Sequence, residues 1–293
     1  MAEYQLKESN KDENPEQASP VPLPPSKNAQ KKLLKQQKFE AKKAEKKAYI
    51  KQRKKNETER KRKEWEDKLS TMTEDEKEAL ISSRKKIRLE RMAKRTEEKD
   101  EKISRLTKAK EQGINIIIDL DFSHLMTPSE INSLTQQIMY CYAVNGRSIS
   151  PAHLWLTGCK GAIGDQLQKL PGFEKWVVEK EKRSYFEALE EQKDRLVYLT
   201  ADSENSLEEL DSKAMYIIGG IVDRNRWKGI TMEKAEEQGI RTAKLPIGSF
   251  VKLSSSQVLT VNQVLEIMLK YGEIGDWKAS FFEVIPPRKL QQF

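Results

Sequence analysis

The sequence is poor in the residue types that build disulfides and metal sites. Its 293 residues include two cysteines, Cys141 and Cys159, and two histidines, His124 and His153. So few cysteines argue against a disulfide framework and suit a reducing compartment. No C-x-x-C or H-x-x-x-H spacing occurs, so no metal site is expected, and both thiols read as small buried hydrophobes. Long apolar runs are also missing: none approaches the ~20 residues of a membrane-spanning helix. The N-terminal residues lack the apolar stretch of a secretory signal. Glu3, Glu8, Asp12, Glu13 and Glu16 argue against a mitochondrial transit peptide. Three glycine signatures are absent as well: G-x-G-x-x-G, G-x-x-x-x-G-K-[ST] and G-x-S-x-G. Dinucleotide binding, P-loop nucleotide hydrolysis and Ser-His-Asp acyl transfer lose their support.

Charge, by contrast, is plentiful and unevenly placed. The chain carries 54 Lys plus Arg and 46 Asp plus Glu, net +8. Residues 27–110 hold 31 basic and 16 acidic side chains, net +15, whereas residues 1–26 are net −3 and residues 111–293 net −4. The basic segment suits phosphate neutralisation on a nucleic acid; the rest does not attract one by overall charge. No RRM or KH signature is visible, so recognition by shape and backbone is expected. A solvated tail or a nuclear localisation signal is the other reading of the Lys runs.

Residues 1–26 read as a disordered tail ending in SPVPLPPS, which is extended. Residues 27–69 contain no Gly or Pro and have high helix propensity, but their apolar positions are too sparse for a coiled-coil seam. A solvated, partly frayed helix is expected there. Ser70 to Glu76 offers hydroxyl caps followed by acids, so a second helix starts there and runs to about Gln112, before Gly113. Residues 114–121 (INIIIDLD) then read as a buried parallel strand. Further strands are expected over 153–158, 176–178, 195–200, 214–219, 241–245 and 281–285. Helices are expected over 128–144, 164–170, 185–194, 231–238 and 260–271. Strands alternating with helices define an α/β domain with a mainly parallel sheet over residues 113–293, behind a Lys/Arg-rich helical extension over 27–112.

Parallel α/β sheets bind ligands beyond the carboxyl ends of their strands. Three such ends carry small or sharply turning residues: 199–203 (LTADS), 219–225 (GGIVDRN) and 245–249 (LPIGS). Residues 259–263 (LTVNQ) then open a helix. Glycine lets a ligand approach the backbone closely. Each loop alone is ordinary; their joint order carries the information.

Five segments, residues 198–203 (YLTADS), 216–225 (YIIGGIVDRN), 245–247 (LPI), 259–264 (LTVNQV) and 276–277 (DW), resemble the eukaryotic tRNA methyltransferases that modify N1 of the purine at tRNA position nine, within the SPOUT superfamily. The resemblance spans roughly residues 114–287, and the Lys-rich extension fits the same family. It implies a trefoil-knotted α/β domain, S-adenosylmethionine as cofactor, tRNA as partner and a monomer. No obligate protein partner is evident, and residence in the nucleus, the cytoplasm or both is expected.

Asp223, just beyond a strand end and its glycine pair, fits a general base that takes the proton from guanine N1. The resemblance implies the same role. A turn cap, or a pair with Arg224 or Arg226, is the structural alternative. The resemblance also places Gln137 near the target base, with a solvated helix surface as its alternative. Cofactor contacts are expected from Leu199, Thr200, Gly219, Asp223, Leu245, Ile247, Leu259 and Val261. Arg224, Asn225, Arg226 and Lys228 form a polar rim suited to phosphate or base contacts. Guanosine is the expected acceptor. Adenosine, another RNA, or a non-catalytic RNA-binding or assembly role stay open. Deleting residues 1–110 is expected to leave a folded domain that binds S-adenosylmethionine but methylates tRNA poorly.

Overall fold

The computed structural model describes residues 26–224, 226–252 and 258–289. The tail expected over residues 1–26 therefore lies outside the described residues except for Ser26. The chain divides into two units, Met1–Ile87 and Arg88–Phe293.

The first unit holds α1 (Lys27–Ser70) and the start of α2 (Glu74–Gln112). The described side chains of α1 are exposed except for half-buried Trp65 and Leu69, and short-range ion pairs such as Arg60–Glu64 and Arg62–Glu66 lace it. Between the helices, Thr73 and Glu76 exchange bonds in a capping arrangement, with Thr73 N–H donating to Glu76 Oε2 at 3.0 Å. The Arg84 guanidinium lies 3.9 Å over the Trp65 ring, so the two helices of this unit share one cation–π contact.

The second unit is built on a six-stranded sheet whose recorded pairings are all parallel. Its strands are β1 (Asn115–Asp119), β2 (His153–Thr157), β3 (Glu179–Lys180), β4 (Leu196–Leu199), β5 (Met215–Gly219) and β6 (Arg241–Ala243), in the order β3-β2-β1-β5-β4-β6. Alternation along the strands feeds two cores. Ile116, Ile118, Leu154, Leu156, Tyr216 and Ile218 pack on one face, with Leu134 and Ile138 of α3 (Pro128–Arg147) and Leu265 and Met268 of α8 (Val261–Ile274). Ile117, Tyr198, Met215 and Ile217 point to the other face, with Tyr185 of α5 (Tyr185–Ala188) and Ala235 of α6 (Ile230–Glu237). α4 (Gly161–Gln168) packs beside α3, and α7 (Ile247–Phe250) and α9 (Trp277–Val284) complete a third cluster around Trp277 and Phe281.

The crossover from β4 to β5 contains no helix. It covers residues 200–214 and is held by main-chain bonds to Lys244, by Asp211 N–H donating to the Tyr216 hydroxyl, and by Trp277 Nε1 donating to Glu208 O.

Some expected elements differ. Residues 176–178 are not a strand, because pairing with β2 begins at Glu179. Trp176 instead closes a 3-10 turn after Phe173 and stacks on Tyr142. Residues 281–285 are not a strand either. Trp277, Phe281 and Ile285 recur every fourth residue and all are buried, which is a helical period, and Asp276 caps that helix through Ala279 N–H. The segment 185–194 breaks at Leu189 into α5 and a 3-10 turn over Glu190–Arg195. α3 runs on to Arg147, and α4 starts earlier than expected and ends at Gln168.

The last turns of α2 belong with the sheet. Leu106 and Ala109 are buried, and Arg105 donates to the carbonyls of Ser148 (2.7 Å) and Gly146 (3.2 Å) at the end of α3. Deleting residues 1–110 would remove these anchors, so the expectation that the remainder stays intact is revised: the cut belongs near residue 87. No described helix is long and apolar enough to cross a membrane.

Candidate active site

The carboxyl ends of β5, β4 and β6 lie side by side, and the loops that leave them enclose a cleft. β4 supplies Leu199 and Thr200; β5 supplies Ile218, Gly219 and, beyond it, Asp223 and Lys228. The segment after β6 supplies Lys244, Leu245 and Ile247, and the entry to α8 supplies Leu259, Val261 and Val264. The lining thus combines aliphatic side chains with Thr, Lys and Asp groups.

Two glycines set how closely the backbone packs here. A β-carbon on Gly219 would lie 2.8 Å from the Thr231 methyl, and one on Gly220 would lie 2.5 Å from the Asp119 carbonyl oxygen. The hydroxyls of Thr231 and Thr200 meet at 2.9 Å, tying the first turn of α6 to the end of β4.

Asp223 begins a tight turn. Its Oδ2 accepts the backbone N–H of Trp227 at 2.8 Å, and its carbonyl accepts Arg226 Nε at 3.0 Å. Arg224 adopts a left-handed backbone (φ 55°), an uncommon state for a residue with a side chain. Arg226 Nη2 pairs with Glu130 Oε2 at 2.7 Å, fixing the turn to the capped start of α3. The Thr127 amide and the neighbouring arginines hold the Glu130 carboxyl below its ordinary range.

Behind the glycines sits a charged pair at the heart of the domain. Asp119 is fully buried and is the register partner of Gly219. Its Oδ2 accepts Lys234 Nζ (2.7 Å) and the Tyr198 hydroxyl (2.8 Å), and its Oδ1 accepts Asp121 N–H (3.2 Å). Burial pushes the Asp119 carboxyl upward while Lys234, Tyr198 and the Asp121 amide pull it down. Burial also raises the Tyr198 hydroxyl well above its ordinary value, with the Asp119 charge adding to it.

All eight residues expected to contact a cofactor line this one cleft, and Lys228 joins them. Arg224 and Arg226 stand outside the lining and are exposed. Asn225 lies outside the described residues. Gln137 does not line the cleft: its Oε1 accepts Val261 N–H at 3.1 Å, so it satisfies an amide at the start of α8 rather than facing the opening. Among the described residues, no cluster of His, Cys, Asp and Glu could hold a metal.

A family model described as tRNA (guanine(9)-N(1))-methyltransferase TRM10/TRM10A matches residues 24–290. The chain belongs to this family. It is 43% identical over 195 residues to the tRNA (guanine(9)-N1)-methyltransferase of Schizosaccharomyces pombe, covering 66% of this chain and 64% of that protein. It is 42% identical over 177 residues to tRNA methyltransferase 10 homolog A of Homo sapiens, covering 60% of this chain and 52% of that protein. The matched part thus spans about half to two thirds of these relatives' length. The crystal structure of full-length spTrm10 in complex with SAH is 44% identical, with a TM-score of 0.55, over 59% of this chain and 95% of that one. The sheet domain has the Trm10 fold.

Within this Trm10-family domain, sequence reading passed over Thr231 and Lys234, and named Trp227 only with Trp155, Trp176 and Trp277 as rings that stack on bases or pack in the core. Thr231 and Lys234 carried no signal, because only folding brings α6 against β4 and β1. Trp227 was visible as one of several isolated tryptophans, and its neighbour Asp223 was the available clue.

Proposed function

We propose that this protein transfers a methyl group from S-adenosylmethionine to N1 of guanosine 9 of tRNA. The observation that carries this reading is the convergence in one cleft of aliphatic side chains, the close-packed Gly219 and the Asp223 carboxylate. An adenosine with a cationic amino-acid tail needs such a combination: apolar contact for the ring, backbone approach for the ribose, and polar groups for the tail. S-adenosylmethionine supplies an electrophilic methyl carbon on a sulfonium. Leu199, Leu245, Ile247, Leu259 and Val261 would hold the adenine, with Thr200 and Gly219 beside them.

Guanine N1 is protonated at neutral pH, so its lone pair becomes available only as the proton leaves. Asp223 accepts that proton as general base. N1 bonds to the methyl carbon as the carbon–sulfur bond breaks, and the electron pair of that bond stays on sulfur, leaving SAH. Trp227 N–H fixes the carboxylate in place through Oδ2. Gln137 acts as a positioning residue for the α8 wall.

The same reading assigns tRNA binding to the basic helices over 27–112, whose positive excess would neutralise phosphates. Residues 113–293 then form the transferase domain, acting as a monomer in the nucleus, the cytoplasm or both. A trefoil knot belongs to it too: the helix-free crossover 200–214 and the segment after β6 run side by side, joined by a parallel bridge between Ser206 and Lys244. Incubation with labelled S-adenosylmethionine and total tRNA, followed by mapping of the modified base, tests the proposal. Label on N1 of guanosine 9 supports it; an unlabelled tRNA pool overturns it.

A further inference from the structure

Five tryptophans occur in the chain, and four have a partner for the ring. Trp65 lies under Arg84, Trp155 tilts against His153, Trp176 stacks on Tyr142 at 4.2 Å, and Trp277 stacks on Tyr271 at 4.0 Å. Trp227 differs. It is 45% exposed, and among the described residues no ring or cation stacks on it. It also lines the cleft that holds Asp223. Leaving an indole half in water forgoes the burial that normally stabilises so large an apolar group.

Its mounting is rigid on three counts. The Trp227 amide donates to Asp223 Oδ2, Arg226 Nε donates to the Asp223 carbonyl, and Arg226 is anchored to Glu130 on α3. The backbone that carries the open indole and the Asp223 carboxylate are therefore held within one turn. Exposed Arg224 and Lys228 add positive charge around it. The ligand that suits this arrangement is planar and π-rich, with an N–H on its edge and phosphate nearby.

We infer that Trp227 is the stacking platform for the target purine: the base leaves its RNA stack, lays one face on the indole, and presents its N1 edge to Asp223. This inference rests on the proposed transferase reading and adds to it the residue that holds the base. A base taken out of a nucleic-acid stack loses its neighbours, and an aromatic surface replaces part of that loss. Stacking depends on the ring's face and tolerates any aromatic side chain, which distinguishes it from packing.

The test uses the full chain, saturating S-adenosylmethionine and tRNA under single-turnover conditions, with W227A, W227L, W227F and the unchanged protein. SAH affinity by calorimetry serves as the control for folding and for the cofactor site. Stacking predicts that W227A and W227L both slow methyl transfer by roughly tenfold or more, that W227F keeps most of the rate, and that SAH affinity holds throughout. A rate for W227L equal to that of W227F overturns the inference in favour of plain packing. SAH affinity falling in step with the rate overturns it by assigning the indole to the cofactor. If the unchanged protein methylates no tRNA, the transferase reading fails and this inference with it; if that protein is active and W227A is equally fast, this inference alone fails.

Discussion

Lys234 and Asp119 form a 2.7 Å ion pair that fastens the middle of α6 to the carboxyl end of β1. Asp119 is fully buried, and the Lys234 ammonium also lies over the rings of Phe122 and Tyr185. α6 follows directly on the turn that carries Asp223, and Asp119 is the register partner of Gly219, where that loop leaves the sheet. Substituting Asp119 leaves the Lys234 ammonium with only the longer 3.5 Å contact to Asp121 Oδ2. D119N is therefore expected to lower unfolding stability by about 3–5 kcal/mol. D119N/K234M removes the stranded ammonium and should recover most of that loss. Denaturant titration of the two variants checks this, and a double variant no more stable than the single one would contradict it.

Asp223→Asn keeps an oxygen for the Trp227 amide, so the turn should survive, but the basic group is gone. Methyl transfer is expected to fall by about 10²–10⁴-fold. Methyl transfer by both proteins is measured over a pH series. SAH binding should be retained. An unaltered pH–rate profile in the variant would remove Asp223 from the proton transfer.

Removing residues 1–87 takes away α1 and the exposed start of α2 while keeping Arg105, Leu106 and Ala109 in place. The shortened protein is expected to fold and bind SAH normally. Its tRNA affinity should fall and become less sensitive to salt, since fewer counterions are released. Removing residues 1–110 should also lower the melting temperature. Filter binding over a salt series and thermal melts compare the two truncations.

His153, on β2, is mostly buried between β1 and β3, with its ring nitrogens at 3.0 Å from Asn115 Oδ1 and 3.3 Å from Glu179 Oε1. Burial lowers its pKa below the ordinary value, and Glu179 only partly opposes this. Between the folded pKa and the unfolded value of about 6.5, the unfolded chain binds more protons. This residue's contribution to stability is thus present above that value and is lost as pH falls through the window. Denaturant midpoints should drop from pH 7 toward pH 5, and H153Q should flatten the slope.

Much of the architecture was legible along the chain. The run INIIID and the segments around Tyr198 and Tyr216 are apolar and β-branched or aromatic, and each forms a buried strand. The Thr260 cap and the stop after Gln238 follow from local chemistry, the latter because Gly239 takes a positive φ of 63°. The strands at 176–178 and 281–285 failed for a shared reason. A short apolar run carries no unique period, and partners decided each: Tyr142 took the Trp176 ring, and the third core took Trp277, Phe281 and Ile285 together.

The site divides in the same way. Residue types and loop order, together with the family resemblance, placed Leu199, Gly219, Asp223 and Leu259 in one reading, because strand ends of a parallel sheet converge wherever the strands are neighbours. Gln137 shows the limit: its amide serves the start of α8, a partner 124 residues away that no local pattern announces. The sequence by itself determined the basic helices, most of the strands and the glycine loops, since these depend on periodicity, propensity and backbone freedom. Only the tertiary structure decided that Lys234 meets Asp119, that Arg226 meets Glu130, and that the Trp227 ring alone among the tryptophans is left open beside Asp223. Those are meetings of long polar and aromatic side chains between distant elements, and their energies depend on burial, which exists only once the sheet has formed.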